Sequence, residues 1–316
     1  MSPLPLVSIG LPVYNGMPHL RAAVEALLKQ TYANIEIVIS DNASTDGTLE
    51  YCRALAEVHP RVRYVRNAEN VGPVENFRLA LARSSGEYFM WAAHDDKWCD
   101  RYVGALVESL LSASDAVLAT PAVIHIREDG TLCSEPPDRP ATGQSGLANL
   151  KLLFDDHAAT WIYGLWRTPW LRQHFEEFGR YPLWGNDVLW LADVCLRFKV
   201  TGNQDAVIYK RRRSSRYAPQ NAAQAVAFWA YMYWHFTRIA VRRTHGPERV
   251  KTLLLSWRYV YQLCIRRPHV LRTAWRVARM VTWATIISIP PAVAYLGRRL
   301  ARSLPSALDD AARRHF

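Results

Sequence analysis

Glu87-Tyr88-Phe89-Met90-Trp91-Ala92-Ala93-His94-Asp95-Asp96 is an apolar run that ends abruptly in two adjacent carboxylates. Tyr88 to Ala92 reads as a buried strand, and ligands in open α/β sheets gather at the carboxyl ends of strands. Asp95 and Asp96 are therefore delivered to a functional edge. Adjacent carboxylates repel, and a divalent cation held through oxygen relieves that repulsion while screening phosphate charge. The competing reading is a helix N-cap, since Asp is favoured there and a helical pattern begins near Arg101.

Upstream of this run, apolar strand patterns at Leu6–Val13, Ile35–Ser40 and Val62–Val65 alternate with helical patterns at His19–Gln30, Thr48–His59 and Val74–Ser84. With Tyr88–Ala92 as the next strand this is βαβαβαβ, which predicts an α/β fold with a mainly parallel sheet flanked by helices. Downstream, a helix over Tyr102–Ser112 and a strand over Ala116–Thr120 are expected, followed by a Pro-, Gly- and Ser-rich loop from Ser134 to Ser145. Asp187–Phe198 has helical periodicity, and Val207–Tyr209 opens onto the basic run Lys210–Arg213. Beyond about Ala222 the pattern turns helical and rich in Trp, Tyr and Arg. The expected division is a domain over 1–221, its nucleotide-binding half at about 1–130 and its acceptor half at about 131–221, followed by a helical extension over 222–316.

The chain has 316 residues and is half hydrophobic, enough for a sizeable core. Its five cysteines are odd in number and widely spaced, with no CxxC pair, which suits a reducing cytoplasm and argues against a structural zinc. Met1–Gly16 lacks a basic n-region, so no secretory signal is expected. The net charge of +11 is unevenly shared: residues 1–150 hold 12 basic and 18 acidic side chains, and residues 151–316 hold 27 and 10. Such asymmetry joins a near-neutral or acidic catalytic part to a basic surface suited to nucleic acid or anionic lipid.

Three ordered stretches, Leu6-Val7-Ser8-Ile9-Gly10-Leu11-Pro12-Val13-Tyr14-Asn15, then Ile37-Val38-Ile39-Ser40-Asp41-Asn42-Ala43-Ser44-Thr45-Asp46-Gly47-Thr48, then Gly86-Glu87-Tyr88 leading to His94-Asp95-Asp96, carry a likeness to a known family. Over roughly residues 5–215 the chain resembles inverting family 2 glycosyltransferases of the GT-A fold, of the kind that builds bacterial polysaccharides and glycolipids. The resemblance implies a nucleoside-diphosphate sugar donor, UDP- or dTDP-linked, a divalent metal (Mn²⁺ or Mg²⁺), and a glycan or lipid-linked acceptor.

Residue by residue, the resemblance places Pro12, Val13, Tyr14 and Asn15 beside the nucleotide base, where Tyr14 could stack. Asp41 would accept a hydrogen bond from the base imide, its competing role being an Asx turn with its polar neighbours. Asn70 and Gly72 match the family's loop after the third strand, although Gly72 could equally serve an unusual backbone dihedral. Aligning Trp98 with the aromatic that follows the family's DxD motif puts Ala93 where the first Asp would stand. Asp95 would then hold ribose or metal and Asp96 the metal, while His94 beside them reads more readily as a hydrogen-bonding partner than as a ligand.

Trp184-Gly185-Asn186-Asp187-Val188-Leu189-Trp190 fits the position of the family's general base, with Asp187 keeping the second acid of the usual Glu-Asp pair. A helix N-cap at Asp187 is its competing role. Trp161, Arg167 and Trp184 are candidates for the wall between donor and acceptor, with core packing as the competing role of these aromatics, and Lys210–Arg213 with Arg216 for a diphosphate clamp, against a solvated charge run.

Residues 206–316 hold 21 basic and 3 acidic side chains. Arg272, Arg276 and Arg279 share one helical face beside Leu271, Trp275, Ala278 and Thr282, and Met280–Gly297 is uncharged but broken by Pro290-Pro291. This predicts a segment lying in or dipping into the interface of an anionic membrane, peripheral on the cytoplasmic face of the inner membrane, the competing reading being an ordinary helical subdomain or a dimer interface. The alternative function is a nucleic-acid or anionic-surface binding protein that uses the basic half. It lacks any helix-turn-helix, zinc or RNA-binding signature, and no nucleic-acid partner is expected. Nucleotidyl transfer would need a Gly-rich loop after the first strand, where only Gly16 stands.

Overall fold

A computed structural model of the chain describes residues 4–143, 146–156, 159–180, 185–212 and 222–265. In chain order the elements are β1 (Val7–Val13), α1 (His19–Leu28), β2 (Ile35–Asp41), α2 (Thr48–Val58), β3 (Val62–Arg66), α3 (Pro73–Ala82), β4 (Tyr88–Trp91), β5 (Lys97–Trp98), α4 (Tyr102–Ser112) and β6 (Ala116–Ile126). They continue with α5 (Gly146–Asp155), a 3-10 turn at Ala159–Tyr163, β7 (Leu165–Arg167), α6 (Thr168–Phe178), α7 (Asn186–Arg197), β8 (Lys199–Arg211), α8 (Ala222–Arg243) and α9 (Gly246–Ile265). The first half follows the sequence pattern to within a residue or two at most element ends. The helices α5 and α6 and the short strands β5 and β7 are additions. Strand β6 runs past the expected end at Thr120, and a register shift against β8 between Pro121 and Ala122 absorbs the proline.

The sheet order is β3-β2-β1-β4-β7-β6-β8-β5. Strands β1, β2, β3 and β4 pair in parallel, and β6 pairs in parallel with β8. Strand β7 is antiparallel to both β4 and β6, so six strands share one direction and only β5 and β7 oppose it. The expected mainly parallel α/β sheet flanked by helices is what the chain forms.

Alternation along β4 feeds two cores. Phe89 and Trp91 enter one apolar cluster, while Tyr88, Met90 and Ala92 enter the other on the opposite face, the period of two that a strand imposes. All five are essentially inaccessible, and a large apolar side chain so buried contributes about 1.5–3 kcal/mol. The first cluster also takes in Trp166, Trp190 and Phe154, and with them Trp229, Met232, Phe236 and Ile239 of α8 and Tyr259 and Val260 of α9. Phe154 stacks on Tyr259 with ring centroids 4.6 Å apart. The α8–α9 pair thus shares its core with α5 and α7. No helix among the described residues is long and apolar enough to cross a membrane, and the predicted interfacial segment over 268–316 lies outside them.

Candidate functional site

Because six strands run the same way, the ends of β1, β2, β4 and β8 meet at one edge. The loops after β1 and β2 are laced together there: the Asn15 carboxamide oxygen accepts the Thr45 N–H at 2.8 Å, and the Asn15 N–H donates to Ser44 Oγ at 2.9 Å. Asn15 has φ of 50°, in the left-handed region that Asn tolerates. Pro12 and Val13 are buried strand residues, which leaves Tyr14 and Asn15 as the members of that motif facing the edge.

Asp41 is fully buried at the end of β2. Its Oδ1 accepts the Ser44 N–H at 2.9 Å, the Asx turn read as the alternative, and its Oδ2 accepts Tyr64 Oη at 2.6 Å and Arg66 Nη1 at 2.9 Å. A carboxylate has about four acceptor sites, and three of them are filled from within the protein. Asn70 Oδ1 accepts from Asn42 Nδ2 at 2.7 Å and from the Gly72 N–H at 2.9 Å, whereas its buried Nδ2 has no partner among the described residues. Gly72 has φ of +84°, and a Cβ there would meet nothing within 4 Å. Its backbone dihedral alone accounts for the glycine.

The pair after β4 is resolved by strand register. β5 pairs antiparallel with β8, Lys97 opposite Tyr209, and one step further brings Asp96 beside Lys210. Lys210 Nζ donates to Asp96 Oδ2 at 2.8 Å and the Arg211 N–H to Asp96 Oδ1 at 3.0 Å. The Arg211 guanidinium donates to the carbonyls of Asp95 (3.0 Å), Arg127 (3.1 Å) and Glu128. Burial raises the Asp96 carboxyl above the ordinary carboxylate value against the pull of Lys210. Burial also opposes the Lys210 charge, but Asp96, Tyr163 and Asp95 outweigh it and keep the ammonium protonated.

A metal therefore fits here in a different way from the expected Asp95/Asp96 pair. Both Asp96 oxygens are engaged, and no three His, Cys, Asp or Glu side chains among the described residues converge as a cage. A hard ion such as Mg²⁺ needs only one or two carboxylates where a diphosphate supplies further oxygens, and half-buried Asp95 suits that donor set.

Asp187 is the second residue of α7. The N-cap is Gly185, with φ of 73°, so Asp187 is not the cap. Its Oδ1 accepts the Val188 N–H at 2.8 Å, and its own N–H donates to Asn186 Oδ1 at 2.8 Å. Burial raises its carboxyl above the usual range, with the Val188 bond and the Lys210 charge opposing. Tyr163 lies among these groups: Lys210 Nζ is 4.6 Å from its ring centroid. Burial pushes its phenol up to about 12; Lys210 counters this, while Asp96, Asp95 and Asp187 add to it. Lys210 is thus the common cation of Asp95, Asp96 and Asp187.

The wall candidates fall elsewhere. Trp161 is fully buried, and its Nε1 donates to the Arg139 carbonyl at 3.2 Å. Arg167 pairs with Tyr88, at the amino end of β4, on the edge away from Asp95. Its guanidinium donates to the Ala116 carbonyl at 2.8 Å and the Leu110 carbonyl at 2.7 Å. Both are structural in these positions. Trp184, Arg213 and Arg216 lie outside the described residues. Tyr163 was embedded in an aromatic run that reads as core, and only its neighbour Gly164 hints at a turn that exposes it.

An open α/β sheet with acidic groups at the carboxyl edge is the arrangement of GT-A glycosyltransferases. Residues 8–158, just under half of the chain, match the family model described as Glycosyl transferase family 2. TuaG of Bacillus subtilis, assigned to teichuronic acid biosynthesis, is 31% identical over 127 residues, covering 40% of this chain and 50% of TuaG. Glycosyltransferase GlyG of Streptococcus pneumoniae is 36% identical over 91 residues, 29% of this chain and 30% of GlyG. The match covers half or less of these curated relatives. Among solved structures, S. aureus TarS 1–349 with UDP-GlcNAc superposes with a TM-score of 0.62 at 17% identity, over 81% of this chain and 73% of that one. Mannosyltransferase PcManGT of Pyrobaculum calidifontis with GDP-Man and Mn²⁺ gives 0.55 at 20% identity, over 98% and 84%. These likenesses establish the GT-A fold.

Proposed function

We propose that the protein transfers a sugar from a UDP- or dTDP-linked donor to a hydroxyl of a glycan or lipid-linked acceptor, with inversion, in bacterial polysaccharide assembly. The observation that carries this is the Asp96–Lys210 ion pair beside Asp95 at the carboxyl edge of the sheet, with the charge of Lys210 acting also on Asp187 at the start of α7, in a chain whose residues 8–158 match the family 2 model. The donor class is supported by the nucleotide sugars bound to the two fold neighbours, and the metal by the Mn²⁺ of one of them.

In this reading Tyr14 and Asn15 flank the base, Asp41 offers its remaining acceptor site to the imide, and the free amide of Asn70 donates to the nucleotide. Asp187 accepts the proton of the attacking hydroxyl. As that oxygen bonds to the anomeric carbon from one face, the bond to the diphosphate oxygen breaks on the other, which inverts the centre. Lys210 faces the diphosphate with positive charge. A divalent ion at Asp95 would supply further charge neutralisation to the leaving group. Residues 1–221 make the catalytic unit and 222–316 hold it to the cytoplasmic face of the membrane.

The test is a thermal-shift panel of UDP-, dTDP- and GDP-sugars with Mn²⁺, Mg²⁺ or chelator, followed by NMR of the product's anomeric configuration. A UDP- or dTDP-sugar should raise the melting temperature, because a ligand of the folded state alone stabilises it. No shift from any nucleotide sugar, or a product of retained configuration, overturns the reading.

A further inference from the structure

Four large apolar side chains of α9 stand open to solvent: Val250 (57% exposed), Leu254 (57%), Trp257 (40%) and Tyr261 (63%). Their spacing of four, three and four residues puts them on one face of the helix, a stripe roughly 16 Å long at 1.5 Å per residue. The opposite side of α9 is buried through Thr252, Ser256, Tyr259 and Val260, so the stripe is a second face and not an incompletely packed first one.

Beside the stripe, α5 and α9 enclose a shallow groove of about 560 Å³. Leu147, Leu254 and Leu255 line it, and Lys151, Lys251 and Arg258 set three cations around it. Asp155 pairs with two of them, Lys151 at 2.5 Å and Arg258 at 2.7 Å, which leaves the rim positive. Over residues 222–265 there are six basic side chains against the single acid Glu248.

Contiguous exposed apolar surface of this kind marks an interaction site. Charge selects among its occupants. Residues 266–316 hold ten basic and two acidic side chains, the same sign as the rim, and a second copy of the chain would bring the same positive face. An anionic bilayer brings the opposite sign, and Trp and Tyr beside Lys and Arg are the side chains that partition to a membrane–water boundary.

We infer that the α9 face, with the groove it shares with α5, is the surface that seats this protein on an anionic phospholipid bilayer. Leu254 and Trp257 enter the headgroup boundary, and Lys251 and Arg258 lie flat among lipid phosphates with their stems along the apolar stripe. This names the surface for the membrane partner proposed above and rests on that part of the reading, not on the catalytic assignments.

The experiment is vesicle flotation of the full chain at low salt, with phosphatidylcholine vesicles alone or carrying phosphatidylglycerol. Wild type should float with the anionic vesicles at least tenfold more than with the neutral ones. Leu254→Asp with Trp257→Asp should lower that partition at least tenfold, and Lys251→Glu should lower it several-fold. The thermal shift given by UDP should stay unchanged in each variant, which shows that the fold is intact. Variants that float as wild type does overturn the α9 surface while leaving membrane binding by other residues in place. Wild type that ignores anionic vesicles overturns both. A dimer in light scattering that the Leu254/Trp257 variant dissolves assigns the face to a second copy and overturns the bilayer.

Discussion

Lys210 Nζ donates to Asp96 Oδ2 at 2.8 Å across 114 residues of sequence, and the ring of Tyr163 lies 4.6 Å from the same nitrogen. The Asp96 side chain is wholly buried and that of Lys210 is 26% exposed. One end of the ion pair is sealed in protein, and the other keeps part of its surface open to solvent.

Removing the cation from such a pair strands a buried carboxylate. Lys210→Met is expected to lower folding stability by about 3 kcal/mol, and Lys210→Met with Asp96→Asn to recover most of it, because the cost lies in the unpaired charge. Urea denaturation of the four proteins in a double-mutant cycle measures this. A loss in the double variant equal to the sum of the two single losses would show that the pair carries no coupling.

Asp187 has a raised carboxyl value from burial, and Lys210 works against that rise. A base acts when deprotonated, so turnover should fall as pH drops through a value above the ordinary carboxylate range. Any Lys210 variant that still folds should move this acid limb to higher pH. Asp187→Asn should keep UDP affinity and lose about 10²- to 10⁴-fold in kcat. A profile whose acid limb survives in Asp187→Asn, or near-normal turnover in that variant, assigns the proton to another group.

With Asp96 committed to Lys210 and to the Arg211 N–H, the two acids should separate in their dependence on metal. Mn²⁺ should tighten UDP binding to the wild type about tenfold over chelator, about 1.4 kcal/mol. Asp95→Asn should abolish that gain, and Asp96→Asn should retain part of it. Calorimetry with Mn²⁺ and with chelator reads all three; equal wild-type affinities in both would remove the metal from the mechanism.

Asp41→Asn keeps the size of the side chain but takes the charge from Arg66 and disturbs the acceptor pattern that serves Tyr64 and Ser44. A loss of about 1–3 kcal/mol is expected, the range for a buried polar group left imperfectly paired. If Asp41 also meets the base, UDP affinity should fall by more than the affinity for the sugar-free diphosphate alone. Denaturation and titration together separate the two roles.

The strand that leads to Asp95 was legible because five apolar residues in a row leave few alternatives to a buried strand. What the pair touches was not, because β5 is only two residues long and carries no pattern of its own. Its antiparallel pairing with β8 sets the register that brings Lys210 to Asp96. Arg167 shows the converse. Its aromatic surroundings resemble a site wall, but local sequence does not encode which way a three-residue strand runs, and the reversed direction of β7 carries Arg167 to the far edge. The helix start at Asp187 could be placed from its motif, whereas the N-cap could not: the backbone gives it to Gly185.

The helix that bears Asp187 is seated partly on α8. Arg243 Nε donates to Asp193 Oδ1 at 2.7 Å, and a Cβ at Gly185 would lie 2.9 Å from Met232 Sδ. The same α8 packs on α9, so the chain of contact from Asp187 to the open stripe on α9 passes through one continuous solid interior. The helix that carries Asp187 and the helix that carries the open stripe are thereby walls of one shared interior, so α9 belongs to the same packed body as the carboxyl edge of the sheet.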